Sequence, residues 1–227
     1  MPVTSAAPFR LAVLVSGRGS NLGALIRAQE SGELQASIAG VFSDRPNCAA
    51  ISLAREHGLS TFTFRPADYH SRQAFDESMF SQIESIQPDL IVCAGYMRLI
   101  SESAVIRCEG RMINIHPSLL PKYPGLDTHA RALAAGDREH GASVHVLTPA
   151  LDSGPVIAQA RVAVLPEDTS ASLARRVLET EHTLLAQCVK AIAQGKVRLS
   201  EAQIRWLGTP LSSPLSLNAY AELEESK

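Results

Sequence analysis

Asn114 and His116 are the residues of this sequence whose types and spacing are best suited to chemistry. They alternate with apolar residues at the end of a predicted strand, so the period of two places both polar side chains on one face. Pro117 and Pro121 disfavour a central strand, which puts the pair where the strand opens into a rigid loop. An amide N–H and an imidazolium N–H can together stabilise the oxyanion that forms when a nucleophile attacks a carbonyl carbon.

A second histidine and a carboxylate follow later in the chain. Ser143 and His145 alternate with valines along another predicted strand, and the turn after this strand carries Asp152. A carboxylate near His116 would favour its protonated form and could move a proton to or from a substrate. His145 would buttress this site or orient a water molecule. By their types alone, these residues and Asn114 also fit ordinary hydrogen bonding in loops and at strand ends.

The segment Ser16–Asn21, called the glycine loop below, joins an apolar strand to a helical pattern. A glycine turn at a helix N-terminus presents free backbone N–H groups and the helix dipole to an anion such as phosphate. Gly17, Gly19 and Gly23 miss the spacing of the dinucleotide-binding loop by about one residue, which argues against a nicotinamide cofactor. The segment therefore fits either a phosphate site or a simple tight connection.

Three segments together resemble the folate-dependent glycinamide ribonucleotide formyltransferase family of purine biosynthesis. They are Ser16–Asn21, Asn114–Gly125 and Ser143–Gly154, within a resemblance that extends from about Arg10 to about Trp206. The resemblance implies transfer of a formyl group from the co-substrate 10-formyltetrahydrofolate to the amine of glycinamide ribonucleotide, without a metal. The catalytic residues expected from the spacing and the resemblance are Asn114, His116, Asp152 and His145.

The same resemblance implies two sets of binding residues. Those for the phosphate and ribose of the ribonucleotide are Gly19, Ser20, Asn21, Gly95 and Glu181. Those for the folate are Arg72, Met97, Arg98, Leu99, Ile100, Asn114, Leu147 and Asp152. Arg18 occupies a variable position of the glycine loop, and Asp127 stands where the family often has a histidine or another polar residue. The local hydrogen bonds at these two positions are therefore left open.

Apolar runs and helical patterns alternate along the chain. The strand-like runs are 11–15, 38–42, 60–64, 89–94, 112–115, 141–147 and 156–164. The clearest helical patterns begin at 22 and cover 49–54, 71–86 and 169–192. This alternation predicts an α/β protein with a mostly parallel, doubly wound sheet, and the last two runs predict a hairpin that adds an antiparallel edge in the C-terminal half. The resemblance implies the formyltransferase fold, with a Rossmann-like N-terminal half.

We expect one domain with a short extension at each end. Residues 1–9 would form a flexible N-terminal extension, 10–207 the formyltransferase domain, and 208–227 a C-terminal tail that is either an ordered arm or a loose coil. Within the domain, the half up to about residue 108 would bind the nucleotide phosphate. The other half would carry the catalytic and folate-binding loops and end in a short hairpin at 196–206.

Composition and charge narrow the class of protein. A chain of 227 residues with 45% hydrophobic residues can bury a full core. The net charge of −2 and the pI near 6.4 provide no broad basic field, so nucleic acid and anionic membranes are not expected as partners. The four cysteines have no metal-ligand spacing, and neither a signal peptide nor a membrane span is evident. We expect a cytoplasmic enzyme with small-molecule substrates, and a homodimer is left open.

Other functions fit parts of the sequence. Formyltetrahydrofolate deformylase would use the same catalytic residues with water as the acceptor, although such proteins usually carry an N-terminal regulatory domain. Methionyl-tRNA formyltransferase has a similar core but a C-terminal RNA-binding domain, for which we expect the residues after Leu207 to be too few. A metal-dependent hydrolase would need a compact ligand motif that the histidines do not form. A phosphate-binding sensor would have no need for Asn114, His116 and Asp152.

Overall fold

The computed structural model of this protein describes residues 8–199, 203–218 and 220–226. Its N-terminal half alternates strands and helices in the predicted βαβ rhythm. The strands are β1 (Phe9–Val15), β2 (Ala36–Ser43), β3 (Thr61–Thr63), β4 (Leu90–Cys93) and β5 (Met112–His116). The helices are α1 (Ser20–Glu30), α2 (Ala49–Glu56), α3 (Arg72–Ser85) and α4 (Glu102–Arg107).

The C-terminal half contains a hairpin, a long helix and several short strands. The larger elements are α5 (Thr128–Ala134), β6 (Glu139–Val146), β7 (Val156–Ala163) and α6 (Ser170–Ala193). The short strands are β8 (Val197–Arg198), β9 (Arg205–Trp206), β10 (Thr209–Pro210), β11 (Leu215–Leu217) and β12 (Leu223–Glu225). Thr169 caps α6 and forms a capping box with Ser172, as the sequence at the start of this helix predicts.

A nine-stranded sheet has the strand order β12-β11-β7-β6-β5-β4-β1-β2-β3. The strands between β5 and β3 in this order are parallel to their neighbours, whereas β6 is antiparallel to both β5 and β7. The predicted α/β fold, with a mostly parallel sheet and antiparallel strands in the C-terminal half, is therefore confirmed. The β6–β7 hairpin does not form the edge of the sheet, because β11 pairs in parallel with β7 and β12 continues the sheet.

The described residues of the predicted C-terminal tail form strands. Strands β8, β9 and β10 make a separate three-stranded sheet, which contains the predicted hairpin at 196–206, although residues 200–202 lie outside the described chain. Strand β11 joins the main sheet and buries Leu215 completely. The tail therefore contributes to the core of the domain.

Helices cover both faces of the main sheet, as a doubly wound architecture requires. Along β1, Leu11 and Val13 lie in one apolar cluster with residues of α1, α2 and α6. Ala12 and Leu14 lie in the other cluster with residues of α3 and α4. All four side chains are fully buried, which explains why this strand has a continuous apolar sequence.

The short helices α4 and α5 are not among the predicted elements. They contain 6 and 7 residues, which is too few to give a clear helical period. Strand β1 begins at Phe9, inside the segment predicted to be a flexible extension, and residues 1–7 of that segment lie outside the described chain. The α-helices that the sequence predicts have eight residues or more, whereas these two are shorter.

The parallel strands β1, β2, β4 and β5 end at one edge of the sheet, the carboxyl edge. The loops that follow β1 and β4 carry Gly19, Gly95 and residues 97–100 of the predicted site, and Asn114 and His116 lie at the end of β5. Ligands of open α/β sheets bind at this edge. No helix in the described ranges combines the length and the apolar character needed to cross a membrane.

Candidate active site

The loop after β5 is held against β6 by hydrogen bonds. The fully buried Ser143 hydroxyl donates to the Ser118 carbonyl oxygen at 2.7 Å and accepts from the Leu120 N–H at 3.0 Å. The Ser118 hydroxyl donates to the Lys122 carbonyl oxygen at 2.6 Å. Both hydroxyls are used to shape the loop, which fits the absence of a nucleophile elbow around either serine.

Asn114 and His145 are opposite each other on β5 and β6. Asn114 Nδ2 lies 3.1 Å from His145 Nε2, and His145 Nδ1 lies 3.0 Å from the Val146 carbonyl oxygen. Because a carbonyl oxygen only accepts, we assign the proton of His145 to Nδ1 and the accepting role to Nε2. Burial lowers the pKa of His145, opposed by the Val146 carbonyl and by Asp152. A neutral His145 therefore orients the Asn114 amide by accepting one of its N–H groups.

His116 is fixed by a backbone carbonyl and faces Asp152. Its Nε2 lies 2.9 Å from the Tyr123 carbonyl oxygen, which assigns an N–H to Nε2. Its Nδ1 lies 3.5 Å from Asp152 Oδ2. Asp152 Oδ2 accepts from the Gly125 N–H at 2.8 Å, and Asp152 Oδ1 lies 3.6 Å from His145 Nε2. The Asp152 carboxylate thus lies between the two histidines and is held by the Gly125 N–H.

The structure brings Asn114, His116, Asp152 and His145 together, as the sequence analysis expects. After its bond to His145, Asn114 keeps one N–H for a ligand, and a protonated His116 would offer its Nδ1–H. Two N–H donors beside a carboxylate can stabilise an oxyanion and transfer a proton, which is the chemistry of acyl transfer. In the part of the chain that the structure describes, no group of three or more His, Cys, Asp and Glu residues could hold a metal ion.

The glycine loop leads from β1 into α1, as predicted. Gly19 is the N-cap of α1 and has a φ of +80°. A Cβ at this position would lie 2.7 Å from the Cα of Ala50 on α2, so both the backbone conformation and the close approach require glycine. The N–H groups of Ser20 and Asn21 belong to the first turn of α1, where no helix carbonyl can accept them. This arrangement suits an anionic ligand.

Asn21 and Glu181, which are 160 residues apart in sequence, meet at the glycine loop. Asn21 Nδ2 donates to Glu181 Oε2 at 2.9 Å, and both residues are buried. Burial raises the pKa of Glu181, and the bond from Asn21 opposes this shift. Asn21 Oδ1 is buried and has no hydrogen-bond partner among the described residues. The pair therefore provides polar groups for a ligand beside the glycine loop.

The segment that follows β4, residues 95–101, lies at the same edge and is called the folate loop below, after its predicted role. Gly95 has a φ of +80°, and its carbonyl oxygen accepts from the Ser16 N–H at 3.1 Å. Gly95 therefore lies where the folate loop meets the glycine loop. Met97 and Leu99 are each 58% exposed, which leaves apolar surface open to a flat ligand.

The other predicted folate residues lie around the same loop. The Arg98 guanidinium lies 4.8 Å from the centre of the Phe75 ring on α3. Ile100 and Leu147 pack against the apolar cluster that contains Phe75. Arg72 is exposed at the start of α3, directly after the N-cap of that helix. Arg98, Ile100 and Leu147 therefore share the apolar cluster around Phe75.

Tyr123 and His140 support the site and were not identified from the sequence, whereas His129 was expected to be structural. Tyr123 provides the carbonyl oxygen that fixes His116, and its hydroxyl donates to Asp137 at 2.8 Å. His129 and His140 pack edge to face, with ring centres 5.1 Å apart. Burial lowers the pKa of both histidines, that of His140 to about 4. A backbone carbonyl has no sequence signal, whereas the position of His140 on β6 could have identified it as buried.

The two departures from the family pattern lie on the surface. Arg18 is exposed in the glycine loop. Asp127 is the exposed N-cap of α5, with a φ of +56° and no capping hydrogen bond from its side chain. Neither position changes the contacts among the catalytic group described above.

Known proteins resemble this chain in sequence and in fold. Residues 9–189 match the family described as formyl transferase. A phosphoribosylglycinamide formyltransferase of Escherichia coli is 41% identical over 199 residues, which cover 88% of this chain and 93% of the relative. The structure of a phosphoribosylglycinamide formyltransferase from Coxiella burnetii superimposes with a TM-score of 0.87 at 41% identity, covering 91% of this chain and 97% of that one. A formyltetrahydrofolate deformylase from Pseudomonas syringae superimposes with a TM-score of 0.81 at 26% identity, covering 89% of this chain and 67% of that one.

Proposed function

Because the chain belongs to the formyl transferase family, we propose that it transfers the formyl group of 10-formyltetrahydrofolate to the amine of glycinamide ribonucleotide. The products are formylglycinamide ribonucleotide and tetrahydrofolate, in a step of de novo purine biosynthesis. The observation that carries this function is the group formed by Asn114, His116 and Asp152, at the same edge of the sheet as a glycine loop suited to a phosphate. The enzyme is therefore a one-carbon group transferase.

In the proposed reaction, the amine nitrogen attacks the formyl carbon while the carbonyl electrons move to oxygen. The free N–H of Asn114 and the Nδ1–H of a protonated His116 stabilise this oxyanion. When the intermediate collapses, the carbonyl re-forms and the bond from carbon to N10 of the folate breaks. No covalent intermediate with the protein is required, in keeping with the use of the Ser118 and Ser143 hydroxyls in the loop.

Asp152 has two roles in this mechanism. Its Oδ2 lies 3.5 Å from His116 Nδ1, so its charge stabilises the imidazolium during the reaction. Its carboxylate also carries the proton from the attacking amine to the departing N10, directly or through a water molecule. The neutral His145 keeps the Asn114 amide in place while charge develops. Each of the four side chains thus has a separate task.

The two substrates bind at adjoining parts of the carboxyl edge in this proposal. The phosphate binds at Gly19, Ser20 and Asn21, and Glu181 accepts hydrogen bonds from the ribose hydroxyls. Gly95 lies between the two substrates. The folate contacts Arg72, Met97, Arg98, Leu99, Ile100 and Leu147, and its formyl group lies at Asn114 and Asp152.

The proposal extends to the organisation and location of the enzyme. Residues 10–207 carry the proposed catalytic and binding residues, and the half up to about residue 108 binds the nucleotide phosphate. The substrates are small molecules, and nucleic acid and membranes are not involved. We place the enzyme in the cytoplasm, and light scattering of the purified protein would decide between a monomer and a homodimer.

A transfer assay tests the proposed function. Purified protein is mixed with 10-formyltetrahydrofolate and a chelator, with and without glycinamide ribonucleotide, and the folate product is followed by absorbance. We expect product release that requires the ribonucleotide and resists the chelator. Release without the ribonucleotide would indicate a deformylase, and loss of release with the chelator would indicate a metal enzyme. Absence of release under all conditions would overturn the proposal.

A further inference from the structure

The start of the folate loop is held by the buried side chain of Ser16. This residue is 1% exposed, and its hydroxyl donates to Asp44 Oδ1 at 2.5 Å and accepts from the Met97 N–H at 2.9 Å. The Ser16 N–H donates to the Gly95 carbonyl oxygen. Ser16 is also the first residue of the glycine loop. One side chain therefore joins the two loops that flank the catalytic group.

The end of the folate loop is held by Asp76 on α3. Asp76 is fully buried, and its Oδ2 accepts from the Ser101 N–H at 2.6 Å. Burial raises the pKa of Asp76, opposed by the hydrogen bonds from Ser101 and by the charge of Arg98. Burial of a carboxyl group without a hydrogen-bond donor is unfavourable, so the bond from the Ser101 N–H stabilises both the buried Asp76 and the end of the folate loop.

We propose that Ser16 and Asp76 are positioning residues for formyl transfer, which fix the folate loop at both ends and set its place relative to the glycine loop. The inference rests on the proposed function, because that function assigns the folate to this loop. Each residue acts through a backbone N–H, of Met97 or of Ser101, and not on the reacting atoms. The exposed Met97 and Leu99 depend on these two bonds for their position.

The two residues differ in the substrate that they affect. Asp76 bonds to the folate loop alone, so its loss raises the KM for 10-formyltetrahydrofolate and leaves the KM for the ribonucleotide unchanged. Ser16 belongs to the glycine loop and also holds the folate loop, so loss of its hydroxyl raises both KM values. A residue that only supports the fold would change neither constant.

Steady-state kinetics of Ser16→Ala and Asp76→Ala test this inference, with each substrate varied at a saturating level of the other. We expect the KM for the folate to rise about tenfold in both variants, the size that follows when a buried N–H loses its acceptor. The KM for the ribonucleotide rises about tenfold in Ser16→Ala only. Asp76→Asn keeps an oxygen that accepts from the Ser101 N–H, so it should recover most of the wild-type value.

Asp89→Ala is the matched control variant. Asp89 Oδ2 accepts from the Arg10 N–H at 2.7 Å, so it is also a carboxylate that accepts from a backbone N–H, although Asp89 is exposed and Asp76 is buried. It lies before β4, at the sheet edge away from the site, and its loss should lower the thermal unfolding midpoint without changing either KM. If Ser16→Ala does not fold, Asp44→Ala removes the acceptor of the Ser16 hydroxyl and must raise both KM values.

The outcomes separate this inference from the proposed function. An active wild-type protein whose variants keep both KM values would overturn the inference and leave the proposed function intact. An equal rise in KM for Asp89→Ala would also overturn it, because the effect would then be a general loosening of the fold. A wild-type protein without transfer activity would overturn the proposed function before any variant is compared.

Discussion

At the scale of single residues, two histidines on neighbouring strands are suited to different tasks because their partners differ. His145 is 2% exposed and donates to the Val146 carbonyl, and burial keeps its pKa low. His116 lies beside the Asp152 carboxylate and donates from Nε2 to a backbone carbonyl. One histidine therefore orients Asn114 while the other can present a positive N–H to a substrate.

Replacement of Asn114 tests the predicted oxyanion contact. Asn114→Ala removes one preorganised donor, so kcat should fall about 100-fold to 1,000-fold while the protein remains folded. Rapid-quench or steady-state transfer assays measure this change. Asn218→Ala is the control, because it removes the side chain that accepts from the Tyr220 N–H in the tail, far along the chain from the site. Equal activity of Asn114→Ala and wild type would contradict the assignment.

His140 should make stability depend on pH. Burial is the main cause that lowers its pKa from 6.5 to about 4, with His129 and His116 adding to the shift and Asp137 and the Pro117 carbonyl opposing it. Below pH 6.5 the unfolded chain binds a proton that the folded chain does not bind until about pH 4. The contribution is therefore fully present above pH 6.5 and is lost as the pH falls through this window.

Urea unfolding of wild type and His140→Phe between pH 4 and pH 8 measures this contribution. The wild type should lose up to about 3 kcal/mol from this histidine as the pH falls, since one pKa unit corresponds to about 1.4 kcal/mol. His140→Phe cannot take up a proton, so its free energy of unfolding should fall less steeply. At pH values above 7 the two curves should run parallel. An unchanged slope in the variant would show that other groups cause the acid sensitivity.

At the scale of elements, the contact between the glycine loop and α2 determines the shape of the predicted phosphate site. Gly19 is the N-cap of α1, and a Cβ at this position would overlap Ala50 near the start of α2. The N-termini of the two helices are therefore close together. Gly32, after α1, has a similar φ of +76°, but a Cβ there would meet nothing within 4 Å. A comparison of the two glycines therefore separates the effect of a positive φ from the effect of close packing.

Alanine at each glycine gives a matched pair of variants. Gly32→Ala should lower the free energy of unfolding by about 1 kcal/mol from the strained φ and leave the kinetics unchanged. Gly19→Ala adds an overlap with Ala50, so it should lower the free energy of unfolding by a further ~1–3 kcal/mol. It should also raise the KM for the ribonucleotide at least about tenfold. Chemical unfolding and transfer kinetics measure both effects. Equal kinetics in the two variants would argue against a phosphate site at this loop.

At the scale of the whole molecule, the C-terminal strands complete the sheet. Strand β7 would present an open edge without β11, and an unpaired edge of this kind favours association with other chains. Leu215 on β11 has no exposed surface and lies in the same apolar cluster as β1 and α6. The tail thus stabilises the domain from the side away from the catalytic group.

Truncation of Leu215 measures how much the tail contributes. Leu215→Ala should lower the free energy of unfolding by about 2 to 5 kcal/mol because it leaves a cavity in the core. Both KM values should remain unchanged, since β7 lies between β11 and the strands β6 and β5 that carry the site. Leu165→Ala is the control, because Leu165 is 51% exposed and its truncation should change stability by about 0.5 kcal/mol or less. Equal stability of the two variants would mean that the tail is not part of the cooperative unit.

The sequence by itself determined the longer helices, the strands β1 to β7 and the residues that β5 presents to the carboxyl edge. Apolar runs identified β1, β2, β4 and β5, and the period of two placed Asn114 and His116 on one face. Glycines and prolines marked the loops. All of these signals are local, because they depend on residues a few positions apart.

Only the tertiary structure decided how distant parts of the chain meet. The register between β5 and β6 sets Asn114 opposite His145, and packing of α6 against α1 brings Glu181 to Asn21. The structure also shows that β11 continues the sheet beyond β7 and that His116 Nε2 contacts the Tyr123 carbonyl oxygen. Residue types do not encode these features, because register and packing depend on the balance of contacts over the whole chain and every residue carries the same backbone carbonyl.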